Sequence, residues 1–487
     1  MIRRTRFPRA PLLLAILTFS IVQFGCSRGG ASEAILPDLH FERIATLVGL
    51  KMKEYGIPGV ALGISYLGTK QMKGFGITSF DNPLPVTEST FFQAGSITKT
   101  FTSTIVMRLV EAGRLKLDAP VRDYMPTFRV ADEFASQRAT VRTLLTHMGG
   151  WEGDYFEDAG DGVEALAEYV KRMAILEQVA PFDTMWSYNN AGFCVAGRLI
   201  EIVTGKTYEA VVNELLIEPL RFRQTCFFPA DVMTYRFVVG HAGAGDRQIV
   251  LRPWGLPRSL HPAGGIIASV SDLLGYAEFH LGNGSSPAGS RLLSPDSMRQ
   301  LQEILLVKQG TNEGMALGWQ VSSIGPLKEI WHDGAAVGQH ALLSLVPSKQ
   351  LAIVLLTNSV RGERFNREIK RAVIEEYLAV TISDPAPIMI PQAELAQYAG
   401  RYSRPFMDIV VAVDSDRIMI QRIQKQGFPT SNSPVPPPPP PTPYAFCAKD
   451  RLIGLGPVEG ELVEFLRRPD GSIGWIRAGG RVARRVS

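Results

Sequence analysis

Cysteine is scarce in this chain, with four among 487 residues. Cys194, Cys226 and Cys447 stand too far apart to imply a disulfide framework. Cys194 lies in an apolar helical run and reads as a buried thiol. The seven histidines show no His-x-His or His-Glu-x-x-His pattern, and no Cys-x-x-Cys accompanies them. The ligand sets of metal hydrolases are therefore missing, and neither a metal nor a cofactor is expected. The glycine-rich stretch Pro262 to Gly265 lacks the strand–helix and acidic surroundings of a nucleotide site. No internal repeat is visible.

An excess of one charge is also missing once the N-terminus is set aside. The formal charge is +4, but Arg3, Arg4, Arg6 and Arg9 precede any acidic residue, and without residues 1–25 the balance is near zero. Nucleic acid is thus not an implied partner. The apolar run from Pro11 to Phe24 is too short to span a bilayer comfortably. Behind its arginines it reads as a signal peptide over residues 1–25. Cys26 follows Phe24-Gly25 and resembles a lipoprotein cleavage site, although Gln23 stands where an aliphatic residue is usual. Export to the bacterial cell envelope (periplasm) is expected, with lipid anchoring through Cys26 as the only membrane contact; plain secretion is the alternative.

What the chain does contain is one Ser-x-x-Lys, in Gly95-Ser96-Ile97-Thr98-Lys99-Thr100-Phe101. Phe101, Ile105, Val106, Leu109 and Val110 follow a helical period that Gly113 ends. Residues i and i+3 share a helix face, so Lys99 stands beside the Ser96 hydroxyl. A serine needs such an adjacent base, and the helix start favours developing negative charge.

Tyr188-Asn189-Asn190 is the only Tyr-x-Asn among 13 tyrosines. An amine near Tyr188 favours the phenolate, a general base for a serine hydroxyl. Asn190 offers a donor and an acceptor, suited to holding a lysine and a substrate amide. Read without that company, Tyr188 and Asn190 cap the following helix. His332-Asp333-Gly334-Ala335 leads into strand-like runs at 341–346 and 351–356. Gly334 permits close approach of a substrate backbone, and the Ala335 N–H is a candidate oxyanion donor. His147-Met148-Gly149 and His241-Ala242-Gly243 share the His-x-Gly pattern but read as structural.

Ser-x-x-Lys, Tyr-x-Asn and His-x-Gly, in that order, resemble the serine β-lactamase and penicillin-binding protein superfamily. The branch is that of class C β-lactamases, D-alanyl-D-alanine carboxypeptidases, D-aminopeptidases and related esterases. Gly56-Ile57-Pro58-Gly59, Leu144-Leu145-Thr146-His147, Pro262-Ala263-Gly264-Gly265 and Leu317-Gly318-Trp319 extend the resemblance across residues 38–380. It implies acyl transfer on Ser96, with Tyr188, poised by Lys99, taking the proton. The backbone N–H groups of Ser96 and Ala335 would form the oxyanion hole, and Asn190, His332 and Gly334 would bind substrate. A lysine usually begins the third motif of β-lactamases. His332 there, only partly charged at neutral pH, points to a peptidase or esterase ahead of a β-lactamase or a non-catalytic penicillin-binding sensor. The expected substrate is a small molecule or short peptide carrying an amide, ester or β-lactam; the oligomeric state stays open.

The pattern of segments predicts an α+β fold: an antiparallel sheet from both chain ends, flanked by helices, with a helical region inserted. Beyond Asp384-Pro385-Ala386-Pro387 the texture changes to short strands, predicting a small C-terminal β-domain over 387–487. Its prolines between 434 and 443 predict an extended, stiff insertion. Two charged features read by default as solvated surface. One is the acidic, aromatic stretch Trp151 to Tyr155; the other is the basic tail with Arg467, Arg468, Arg477, Arg481, Arg484 and Arg485. The alternative for the first is lining the cleft and discouraging anionic substrates; for the second it is an active-site cover or a cell-envelope contact.

Overall fold

Alternation along the first strand shows how the main body is built. In the computed structural model, which describes residues 38–243, 247–307, 313–415 and 417–486, β1 is Gly59–Tyr66 and is buried along nearly its whole length. Val60, Leu62 and Ile64 join one apolar cluster, whereas Ala61 belongs to the other. Successive side chains point to opposite faces, so this strand is covered on both. α1 (Leu39–Tyr55) and α5 (Gly362–Leu378) cover one face; Phe365, Ile369, Val373 and Ile374 supply the buried stripe of α5. α4 (Val270–Leu281) and the helical region cover the other. Residues 1–25, expected to be a signal peptide, and Cys26 lie outside the described residues.

The sheet has eight antiparallel strands. After β1 come β2 (Thr69–Gly76), β3 (Leu306–Val307), β4 (Gly314–Met315), β5 (Gln320–Ile324), β6 (Leu327–Ala336), β7 (Gln339–Val346) and β8 (Leu351–Thr357). Their spatial order is β2-β1-β8-β7-β6-β5-β4-β3. Segments from both ends of the main body thus build one sheet, as predicted, and the helical region is inserted between β2 and β3. Two of its helices matter for the site: α2 (Thr98–Glu111), and α3 (Asn190–Thr204).

The C-terminal strands close into an eight-stranded antiparallel barrel. They are β9 (Gly400–Ser403), β10 (Met407–Asp414), β11 (Arg417–Gln424), β12 (Thr442–Ala448), β13 (Arg451–Gly454), β14 (Leu462–Arg467), β15 (Ile473–Ala478) and β16 (Arg481–Arg485). β10, β11, β14 and β15 coincide with the strand-like stretches of the sequence at 408–413, 417–421, 462–466 and 473–477. The proline run enters as the β11–β12 connection and is exposed from Pro434 to Pro441. Body and barrel belong to one compact unit, Leu39–Ser487. The basic tail is not a free surface: Arg477 Nε donates to the Trp186 carbonyl at 3.2 Å, and Trp475 Nε1 to that of Val179 at 3.1 Å.

Candidate active site

Ser96 sits one step before the helix that the sequence assigns it to. Gly95–Ile97 forms a 3-10 turn and α2 begins at Thr98. Gly95 has φ +52°, and a side chain there would lie 2.7 Å from the Ala335 nitrogen. A Cβ on Gly334 would lie 2.0 Å from the Ala94 carbonyl oxygen and 3.1 Å from the Ser96 nitrogen. Only glycine permits this backbone-to-backbone approach. β6 pairs with β5 no further than Trp331, so His332 to Ala336 have a strand neighbour on the β7 side alone. Their other side meets the Ser96 turn, which brings the two predicted oxyanion donors, the N–H groups of Ser96 and Ala335, into one locale.

Lys99 is fully buried. Its Nζ donates to Ser96 Oγ at 3.0 Å and to the Ala263 carbonyl at 2.6 Å, and lies 4.8 Å from the Tyr188 ring centre. Burial, reinforced by the Arg481 cation, lowers its pKa to about 7. A neutral amine is thereby accessible at physiological pH. Tyr188 goes the other way. Burial pushes its phenol well above the ordinary tyrosine range, although Arg481 and a hydrogen bond with Ser96 oppose this. The expected preformed phenolate is therefore corrected: Tyr188 stays a neutral phenol, and Lys99 is the more readily deprotonated neighbour of Ser96.

Two further expectations change in detail. Asn190 does not hold Lys99; its Nδ2 donates to Asp154 Oδ1 at 2.8 Å. Nor do Tyr188 and Asn190 cap α3, since Asn189 Oδ1 accepts from the Gly192 N–H. His332 is fully buried, donates from Nδ1 to the Asp333 carbonyl at 2.5 Å and leaves Nε2 without a partner. Burial lowers its pKa to about 4, so at neutral pH it is an uncharged wall, not a cation for a carboxylate. His147 is structural, as read: its Nδ1 accepts from the Asn189 N–H, and its ring stacks on Tyr188 at 4.5 Å.

Three of the residues that sequence reasoning missed, Glu152, Asp154 and Arg481, come from the two charged features read by default as solvated surface; the fourth, Arg404, lies in neither. Glu152 and Asp154 are each only 3% exposed. Arg404 of the barrel donates to Glu152 at 2.9 Å and pairs with Asp154 at 2.9 Å. Arg481, at the start of β16, lies over the Tyr188 ring at 4.4 Å and donates from Nε to Asp154 Oδ2 at 3.2 Å. The backbone of the same hairpin docks too: the Tyr188 N–H donates to the Gly480 carbonyl at 2.9 Å, and the Val482 N–H to Ser187 Oγ at 3.1 Å. Arg481 thus places a permanent cation over the Tyr188 ring. Opposite charge in both features was the only signal, and 327 residues separate Asp154 from Arg481.

Residues 44–378 match the family model described as Beta-lactamase. The chain belongs to the beta-lactamase family. Within that family, penicillin-binding protein 4 of Amycolatopsis lactamdurans is 32% identical over 362 residues, 72% of this chain and 94% of its own. The fold resembles that of SurE with a TM-score of 0.71 at 24% identity, over 92% of this chain and 99% of that one. At that coverage the likeness extends into the barrel. SurE is also known in a structure with D-Leu. D-amino acid amidase from Ochrobactrum anthropi SV3, complexed with D-phenylalanine, gives a TM-score of 0.57 at 19% identity, over 69% of this chain and 99% of that one. These two structural likenesses speak for the fold. No group of three or more potential metal ligands occurs among the described residues, and none of their helices is long and apolar enough to cross a membrane.

Proposed function

We propose that this beta-lactamase-family hydrolase is a peptidase or esterase acting through an acyl-enzyme on Ser96. The observation that carries this reading is the fully buried Lys99 amine 3.0 Å from Ser96 Oγ. Lys99 takes the serine proton as Oγ attacks an amide or ester carbonyl, and the Ser96 and Ala335 N–H groups stabilise the oxyanion. Tyr188 passes a proton to the leaving group and Asn190 orients the substrate. Water then attacks the acyl-enzyme and releases the acid. The neutral His332 favours a peptidase or esterase, since it offers no fixed charge to a β-lactam carboxylate.

Fluorophosphonate and a short-chain ester test the reading together. Wild type is expected to gain one covalent adduct and to turn over the ester, and Ser96→Ala to do neither; full hydrolysis by Ser96→Ala defeats the mechanism. The relative named penicillin-binding protein 4 supports a second reading, acylation by penicillin without turnover. A persistent penicilloyl mass with no ester or D-amino-acid amide hydrolysis would favour it. Export with an anchor at Cys26 is part of the proposal: wild type should fractionate with membranes and Cys26→Ser with soluble protein. Soluble wild type removes the anchor.

A further inference from the structure

Lys99 has a second partner besides Ser96. Its Nζ donates to the Ala263 carbonyl at 2.6 Å, the shorter of its two hydrogen bonds. Ala263 lies in a one-turn helix, His261–Gly264, and the last carbonyls of a helix have no partner within it. Side chains of α2 take up those of this turn. Thr102 Oγ1 donates to the Pro262 carbonyl at 2.7 Å and Lys99 to that of Ala263, while Thr98 Oγ1 accepts the Ile266 N–H at 2.9 Å. α3 presses on the turn as well: a Cβ on Gly197 would lie 2.2 Å from Pro262 Cγ.

Two buried ionisable groups that the mechanism does not use grip the start of the same turn. His261 is 3% exposed, and its Nδ1 lies 2.7 Å from Glu209 Oε1. Arg258 donates to both oxygens of Glu209, at 3.1 and 3.2 Å. Burial opposes ionisation of Glu209, but its hydrogen bonds with His261 and Arg258 outweigh that and hold the carboxyl at about 2. An ionised carboxylate only accepts, so His261 Nδ1 carries a proton and donates it to the hydrogen bond. Tyr208 and Glu201 also face Glu209, and the rings of Phe227 and Phe228 pack on His261 at 5.5 and 5.2 Å.

A neutral amine has two N–H bonds and one lone pair. The lone pair cannot face a carbonyl oxygen, so an acceptor fixed at Ala263 takes an N–H and leaves the lone pair for Ser96 Oγ. A carbonyl displaced by about 1 Å would loosen that aim, and proton transfer is steep in such geometry. We propose that Glu209 and His261 are positioning residues: they fix the turn whose Ala263 carbonyl aims Lys99 at Ser96. This inference rests on the serine-hydrolase reading above and deepens it, since neither residue touches substrate or the reacting atoms.

The test is the acylation rate of the full chain by saturating p-nitrophenyl ester at pH 9, counted per site that fluorophosphonate labels at completion. With a pKa of about 7, Lys99 is neutral there, so a change in its charge state no longer alters the rate. Arg481, Asp154, Asp333, Cys194, His147 and His332 face Lys99 alike in every variant. His261→Phe keeps a ring but has no N–H, and is expected to lose at least about tenfold in this rate with KM changed less than about twofold. His261→Asn places an amide N–H where Nδ1 stood, and is expected to stay within about threefold of wild type. A merely structural role would lower the melting temperature and the number of labelled sites, and leave the rate per site unchanged. A His261→Phe rate within about twofold of wild type, or an equal loss in both variants, overturns the inference. Should His261→Phe not fold, Thr102→Val, which releases the Pro262 carbonyl without a change of charge, takes its place: a comparable loss supports the inference and an unchanged rate overturns it. Labelling of wild-type Ser96 separates the two levels. Its presence beside an overturning result sinks this inference alone; its absence sinks the hydrolase reading as well.

Discussion

In the proposed mechanism Lys99 and Tyr188 divide the work of proton transfer through what surrounds them. Arg481, Asp154, Asp333 and Cys194 act on Lys99 by charge, yet burial dominates and Arg481 adds to it. The sign of a test follows. Arg481→Gln removes a cation that disfavours protonated Lys99, so the Lys99 pKa rises above about 7 and less amine is neutral at pH 7. Ester hydrolysis should fall several-fold at pH 7, and the deficit should narrow toward pH 9. A deficit that is the same at every pH contradicts this role. At this scale the sequence was generous with identities and silent on charge states. Ser96, Lys99, Tyr188 and Asn190 were legible from spacing. That the amine and not the phenol would be the base depends on desolvation, which no local pattern encodes.

Among the elements, the meeting of the Ser96 turn with β6 decides geometry. Gly334→Ala would push a methyl against the Ala94 carbonyl, 2.0 Å away as built. The turn or the strand must then shift by about an ångström. The expected outcome is a loss of at least about a hundredfold in kcat/KM, with a melting temperature lowered by only a few degrees. Wild-type activity in Gly334→Ala would show that this contact does not set the oxyanion hole. The elements were readable where the pattern was strong: helical periodicity pointed to α2, and the strand-like runs at 341–346 and 351–356 to β7 and β8. The barrel was half legible, because β9, β12, β13 and β16 are short or polar. β12 even includes Pro443, a residue that argues against a strand.

The whole molecule joins a catalytic body to a barrel through buried charge. Glu152 and Asp154 in the body depend on Arg404 and Arg481 in the barrel. Ending the chain at residue 386 would strand both carboxylates, at a cost of about 3–5 kcal/mol for each broken pair. The truncated chain should therefore be poorly folded and inactive, by circular dichroism and ester assay. A folded truncation with wild-type kinetics would show the barrel to be an independent appendage. This layer was the least visible in the sequence. An acidic loop and a basic tail hundreds of residues apart each look like ordinary solvated surface, and only the fold makes them partners. The central claim is that Lys99, whose pKa is lowered to about 7, primes Ser96 in its neutral form. Its most direct measurement is the pre-steady-state acylation rate of wild type by an ester between pH 5 and 9, with the adduct located by peptide mass. The account predicts a rate that rises through an apparent pKa near 7 and an adduct on Ser96. A flat profile, or an adduct on any other residue, would contradict it.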